Sequence, residues 1–205
     1  MRRAWFLLVI LGRMQLFTES TITATLPLVT QWSMTALGRT LRLWSVVLGA
    51  NLIGTALVAA LIAFVWSGAP DVREAMIATS MKVTELGALA TFLNAVPAGF
   101  LIAIIAWSLP NSRDQAFLVI SAVTYVIGIA GFSHSVVGSN EAFLVMFTGN
   151  GAPVPVIFGF MVPAILGNLV GGAGLFAVLA HAQVREEIYQ ETIKRPRRRP
   201  GPRRE

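Results

Sequence analysis

The chain has no cysteine among its 205 residues, which excludes disulfides, thiol chemistry and any cysteine-based metal site. Histidine is nearly as scarce. His134 and His181 lie far apart in sequence, and no metal-ligand spacing surrounds either. There is no HExxH, no GxS with a plausible base and no paired-carboxylate constellation. No metal, cofactor or catalytic residue is therefore expected, and the chain is not read as an enzyme.

Charge is the next shortage. Only 13% of residues are charged and 55% are hydrophobic, whereas a soluble domain of this size needs more polar surface. Residues 43–70, 86–110, 115–140 and 142–184 contain no Asp, Glu, Lys or Arg. About 20 apolar helical residues cross roughly 30 Å of hydrocarbon, so each stretch is long enough. Asn150-Gly151-Ala152-Pro153 marks a turn inside the last one. The short alternating strands of a β-barrel are missing. An all-α integral membrane protein in a lipid bilayer follows.

Five spans are expected, at about 4–29, 43–66, 86–109, 115–147 and 154–181. Trp44, Trp66 and Trp107 fall at span ends, where indoles favour the headgroup layer. Arg2-Arg3 followed by an apolar run resembles a signal peptide, but Arg13 interrupts the run and no small-x-small cleavage site follows. Residues 1–182 form the transmembrane domain, with halves at about 1–68 and 84–182. Residues 183–205 form a basic tail, and residues 194–204 within it hold seven of the sixteen Lys and Arg. That tail, Arg39 with Arg42, and Arg113 share one side if the spans alternate. The positive-inside rule makes that side cytoplasmic, with the bacterial inner membrane as the expected location. Such a tail suits anionic lipid, and no nucleic-acid partner is expected.

Self-similarity is the most informative feature. Asn51-Leu52-Ile53-Gly54 returns as Asn168-Leu169-Val170-Gly171, 117 residues later. Phe17-Thr18-Glu19-Ser20 returns in kind as Phe132-Ser133-His134-Ser135, 115 residues later. The polar quartets interrupt spans one and four. An unpaired backbone group in hydrocarbon costs several kcal/mol, so a helix breaks at membrane depth only where protein or a watery cavity satisfies it. Interrupted helices at matching places in two halves point to a permeation site between oppositely oriented repeats. The first half lacks a counterpart of span three, so six spans are expected where this chain has five.

The residues carrying this pattern resemble the formate/nitrite transporter family. They are Leu16-Phe17-Thr18, Asn51-Leu52-Ile53-Gly54, Gly131-Phe132-Ser133-His134-Ser135, and Pro163-Ala164-Ile165-Leu166-Gly167-Asn168-Leu169-Val170-Gly171-Gly172. The resemblance implies an aquaporin-like inverted-repeat bundle, a homo-pentamer, and one pore per protomer for a small monovalent anion such as formate or nitrite. It implies that Thr18 faces His134 at the pore centre and that Leu16, Phe17 and Phe132 form apolar constrictions. A pore-entry lysine would fall at or beside Lys82. The chain departs from the family pattern where Ser133 replaces a Glu, Gly138 and Ser139 replace Asn and Met, and Gly99 replaces an Asn.

His134 is the leading candidate, because an unperturbed imidazole titrates near pH ~6.5 and small changes switch its charge. The anion would accept hydrogen bonds from Thr18 and His134 and leave as the neutral acid, which couples transport to protons. Ser133 and Ser135 flank the histidine. Arg13 and Glu19 are ionisable residues in the first span; they line the pore or pair with each other. Glu19 opposes anions, which leaves a neutral solute open. A second reading is a truncated, non-transporting membrane protein, or an assembly partner of a full-length homologue.

Overall fold

The computed structural model describes residues 32–183 together with residues 17, 18, 21, 24, 25 and 28; of residues 111 and 113 it describes the backbone only. The described residues contain helices and turns and no strand. α1 runs Met34–Ala60 and continues as one wide π-helical stretch, Leu61–Val65. Ser33 caps its start, its Oγ accepting the N–H of Ala36 at 3.1 Å. Its last carbonyls are held from outside: the Arg73 guanidinium donates to the oxygens of Ile62 at 3.1 Å and Ala63 at 2.7 Å. Arg73 lies on α2, Pro70–Ser80, a helix within the link between spans that hydropathy leaves unassigned. Pro70 at its first position and Asp71 in its first turn suit a helix start.

A 3-10 turn, Met81–Thr84, leads to α3, Ala88–Ser108. The fourth span is two pieces, α4 at Ala116–Ile129 and α5 at Ser135–Phe147. Neither piece alone crosses a bilayer. Gly131 in the break takes φ +66, a left-handed conformation that favours glycine. α6 covers Pro153–Gln183 and includes wide turns at Ile157–Met161 and Val170–Phe176. Helices Met34–Val65, Ala88–Ser108 and Pro153–Gln183 are long and apolar enough to span a membrane.

The distribution of side chains is that of a membrane protein. Val46, Ile53, Leu57, Phe64, Phe117, Leu118, Phe158 and Leu175 point outward, each at least half exposed. Thr18, Thr21, Ser135, Ser139 and Asn168 are buried. Apolar side chains face outward and polar ones face the bundle interior, the pattern of a protein surrounded by hydrocarbon. α1 begins nine residues before the expected span. Its 32 residues reach about 48 Å at 1.5 Å per residue, longer than the hydrocarbon of a bilayer, and Arg39 and Arg42 near its start are exposed.

Two apolar clusters stack along the bundle. One gathers Phe17, Val47, Ala98, Ile102, Ile105, Ile120, Ile127 and Val136. The other gathers Val83, Ala95, Ala142, Val145, Val156, Phe160, Met161 and Ala164. The second cluster lies toward the end that carries α2 and the 3-10 turn, termed the outer end below.

α3 and α6 approach very closely because α6 has glycine at the contacts. A Cβ on Gly171 would overlap the Val96 carbonyl oxygen and stand 2.8 Å from the Phe100 nitrogen. A Cβ on Gly167 would overlap the Phe92 carbonyl oxygen. These are backbone atoms, which cannot swing aside. Gly171→Ala should therefore lower stability by about 1–3 kcal/mol, read as a lowered thermal midpoint of the purified protein in detergent. Gly49 and Gly54 on α1, by contrast, have open space where a Cβ would stand. Gly49→Ala is accordingly expected to leave the midpoint unchanged.

Candidate functional site

A polar layer separates the two apolar clusters, and the break between α4 and α5 lies in it. His134 caps α5: its Nδ1 accepts the Val137 N–H at 3.4 Å. An acceptor Nδ1 places the ring hydrogen of the neutral imidazole on Nε2. Nε2 stands 3.3 Å from the Thr18 hydroxyl oxygen. Thr18 and His134 are 1% and 5% exposed, so the pair is closed off from both ends. When the imidazole N–H donates to Thr18 Oγ1, the threonine keeps its own hydroxyl hydrogen for a third partner. Ser135 is 1% exposed and its Oγ has no hydrogen-bond partner among the described residues. The Thr18–His134 pair and the Ser135 hydroxyl thus put hydrogen-bonding groups beside the break, an arrangement that suits a solute with acceptor oxygens.

The apolar candidates take positions beside this layer. Phe17 is buried in the cluster with Ile102 and Ile127, and Phe132 packs half-buried against the same cluster. Ser133 is buried, with its carbonyl accepting from Asn168. Lys82 is exposed on the 3-10 turn at the outer end, apart from the central pair. Arg13, Leu16 and Glu19 lie outside the described residues.

The break is held by Asn168, which the sequence marked only as a repeat landmark. Its Oδ1 accepts the Ser135 N–H at 2.8 Å. Its Nδ2 donates to the carbonyls of Ser133 at 3.1 Å and Ala95 at 2.8 Å. One carboxamide thus grips both flanks of His134 and ties them to α3. Asn51 does the matching work in the first half, its Oδ1 accepting the Phe17 N–H at 2.9 Å. The two bonds span 34 and 33 residues. A strong signal was available: asparagine recurs at nearly the same distance behind each polar quartet.

Gly99 brings Asn168 into reach. A Cβ there would stand 2.6 Å from the Asn168 Cα, so the departure from the family's asparagine provides room for this contact. Gly138 has a comparable role, because a Cβ would stand 2.5 Å from the Phe160 ring. Ser139 meets Thr55, with 2.9 Å between the hydroxyl oxygens, and Asn140 Nδ2 donates to the Thr55 carbonyl at 2.9 Å. These contacts join α5 to α1. Among the described residues no group of three or more His, Asp or Glu side chains could hold a metal ion.

Comparison with known proteins agrees with this geometry. The family model described as formate/nitrite transporter matches residues 5–182. The chain is 35% identical over 183 residues to the inner membrane protein YfdC of Escherichia coli (strain K12), which covers 89% of this chain and 59% of the relative. The chain thus spans less than two thirds of the length of that relative. The match runs through both asparagine landmarks, the α4–α5 break and the spans around them, and the chain is an integral membrane protein that belongs to the formate/nitrite transporter family.

Proposed function

We propose that the chain is a pore-forming subunit for a small monovalent anion such as formate or nitrite, with the solute passing between Thr18 and His134. The observation that carries this reading is the 3.3 Å approach of Thr18 Oγ1 to His134 Nε2, set in a donor-rich layer between two apolar clusters. A layer of this kind offers hydrogen bonds to an anion in place of its water, and the apolar clusters on either side exclude hydrated ions. Phe17 and Phe132 form the inner constriction. Leu16 continues it, and Arg13 and Glu19 act in the first span. Lys82 raises the local anion concentration at the outer mouth.

The two asparagine clamps support an inverted repeat with halves at about 1–68 and 84–182, an arrangement that is aquaporin-like. The exposed apolar face of α1, with Val46, Ile53 and Leu57, supports assembly into a homo-pentamer in the bilayer. Arg39 and Arg42 in the first turns of α1, together with the basic tail 183–205, support a cytoplasmic C-terminus and a bacterial inner membrane as the location. Proton coupling runs through His134, which takes up a proton as the anion enters and passes one from the resulting imidazolium to the anion, returning to the neutral imidazole, so that the solute leaves as the neutral acid.

The test is flux into proteoliposomes with formate, nitrite, acetate and lactate, each at pH 5 and pH 8. At least one of the smaller anions should enter at a rate tenfold or more above protein-free vesicles, faster at pH 5 than at pH 8. Rates equal to protein-free vesicles for every anion at both pH values contradict the reading.

A further inference from the structure

Two buried hydroxyls, Thr91 Oγ1 and Ser135 Oγ, have no hydrogen-bond partner among the described residues. Ser135 belongs to the break already described. Thr91 stands apart from it, in the first turns of α3, and is 0% exposed.

Nothing in its own helix obliges Thr91 to go unpaired. A helical threonine or serine can donate to the carbonyl three or four residues back. Thr124 does so to Ile120 at 2.7 Å, Ser80 to Met76 at 2.8 Å and Ser139 to Val136 at 2.6 Å. The matching carbonyl for Thr91 is that of Gly87, which accepts the Thr91 N–H at 2.9 Å. The hydroxyl is nonetheless turned away from it. A buried hydroxyl without a partner costs free energy that this bond would have recovered. Such a group in a folded protein calls for a partner of another kind.

Thr91 lies on the outer side of the central layer. It is one helical turn, about 6 Å, outward of Ala95 on the same side of α3. The Ala95 side chain packs in the outer apolar cluster with Ala142, Val145, Phe160 and Ala164. Its carbonyl is held by Asn168 Nδ2, and the Oδ1 of the same carboxamide holds the Ser135 N–H. The two unpartnered hydroxyls are thereby tied to one anchor, Ser135 at the break and Thr91 a turn outward of Ala95. Thr91 is as closed to solvent as Thr18, so a solute reaches either one only when neighbouring side chains move aside.

Resting on the pathway proposed above, we infer that Thr91 is a second station for the anion, where its hydroxyl donates to an acceptor oxygen between the outer mouth and the Thr18–His134 pair. An anion that leaves water for an apolar cluster needs a donor there. A single neutral hydroxyl supplies one without the tight hold of a cation. Conduction requires that balance, with binding favourable enough to enter and weak enough to leave. The ligand class is a monovalent anion with acceptor oxygens, and no bond is made or broken at this station.

The experiment is initial uptake of formate and of nitrite by proteoliposomes of the full chain, over a range of concentrations at pH 5. The thermal midpoint of each protein in detergent is recorded alongside. Thr91→Val keeps the shape and removes the hydroxyl. For the anion that wild type carries faster, it should raise the half-saturating concentration about tenfold or more, the loss expected for a hydrogen bond to a charged group. Its midpoint should stand at or above that of wild type, because a methyl group suits apolar surroundings better than an unpaired hydroxyl. Thr91→Ser keeps the donor and should keep the wild-type half-saturation. Thr91→Ala serves where Thr91→Val does not insert. A hydroxyl-free variant with the wild-type half-saturation overturns the station while leaving the pathway intact. A Thr91→Val midpoint well below wild type also overturns it, since the hydroxyl would then be a structural donor. Wild-type protein that carries neither anion at any concentration overturns both the station and the pathway.

Discussion

Asn168→Ala should yield a protein that no longer holds its central break. The buried Ser135 N–H loses its acceptor, and the Ser133 and Ala95 carbonyls each lose a donor. A buried polar group left without its partner costs about 1–3 kcal/mol, and water does not reach a side chain that is 0% exposed. The summed penalty is on the order of 3 kcal/mol or more, a large part of the margin by which a domain is stable. The purified variant in detergent should unfold at a clearly lower temperature than wild type. It should also lose flux, because His134 sits between the two backbone groups that Asn168 grips. An Asn168→Ala protein with the wild-type midpoint and the wild-type rate contradicts the role given to this carboxamide. Gly99→Val tests the same clamp from the other side, since its side chain would displace the Asn168 backbone.

The membrane spans and the break at His134 are legible in the sequence because hydrocarbon is an exacting solvent. It demands long uncharged stretches, and it makes a polar quartet inside one conspicuous. The facing of Thr18 and His134 came from family resemblance, and the structure places them 3.3 Å apart. Other features were harder to read. α2 is short and carries charges on several sides, so hydropathy is silent about it. Arg73 on that helix caps the end of α1. Its reach across 10 to 11 residues through a turn leaves no periodic signal. Gly49 and Gly54 share their residue type with Gly167 and Gly171, but only the latter meet a neighbouring helix. A glycine's contacts depend on which face is turned inward, and composition does not carry that.

The second large effect concerns His134 itself. Asparagine is a good helix N-cap, so His134→Asn keeps an acceptor for the Val137 N–H while removing the imidazole. The helix start is thereby preserved, and the variant separates transport from folding. His134→Ala removes the cap as well, at about 0.5–2 kcal/mol. If the imidazole hydrogen-bonds the passing anion and moves its proton, both variants lose transport, and the asparagine variant does so with a near-wild-type thermal midpoint.

The decisive measurement is therefore anion flux into proteoliposomes containing wild-type protein or His134→Asn, at pH 5 and pH 8, with the thermal midpoint of each protein recorded alongside. The expected result is a fall of at least tenfold for the variant at pH 5, with its midpoint within a few degrees of wild type. A folded His134→Asn protein that transports at the wild-type rate at both pH values would contradict a pathway centred on Thr18 and His134.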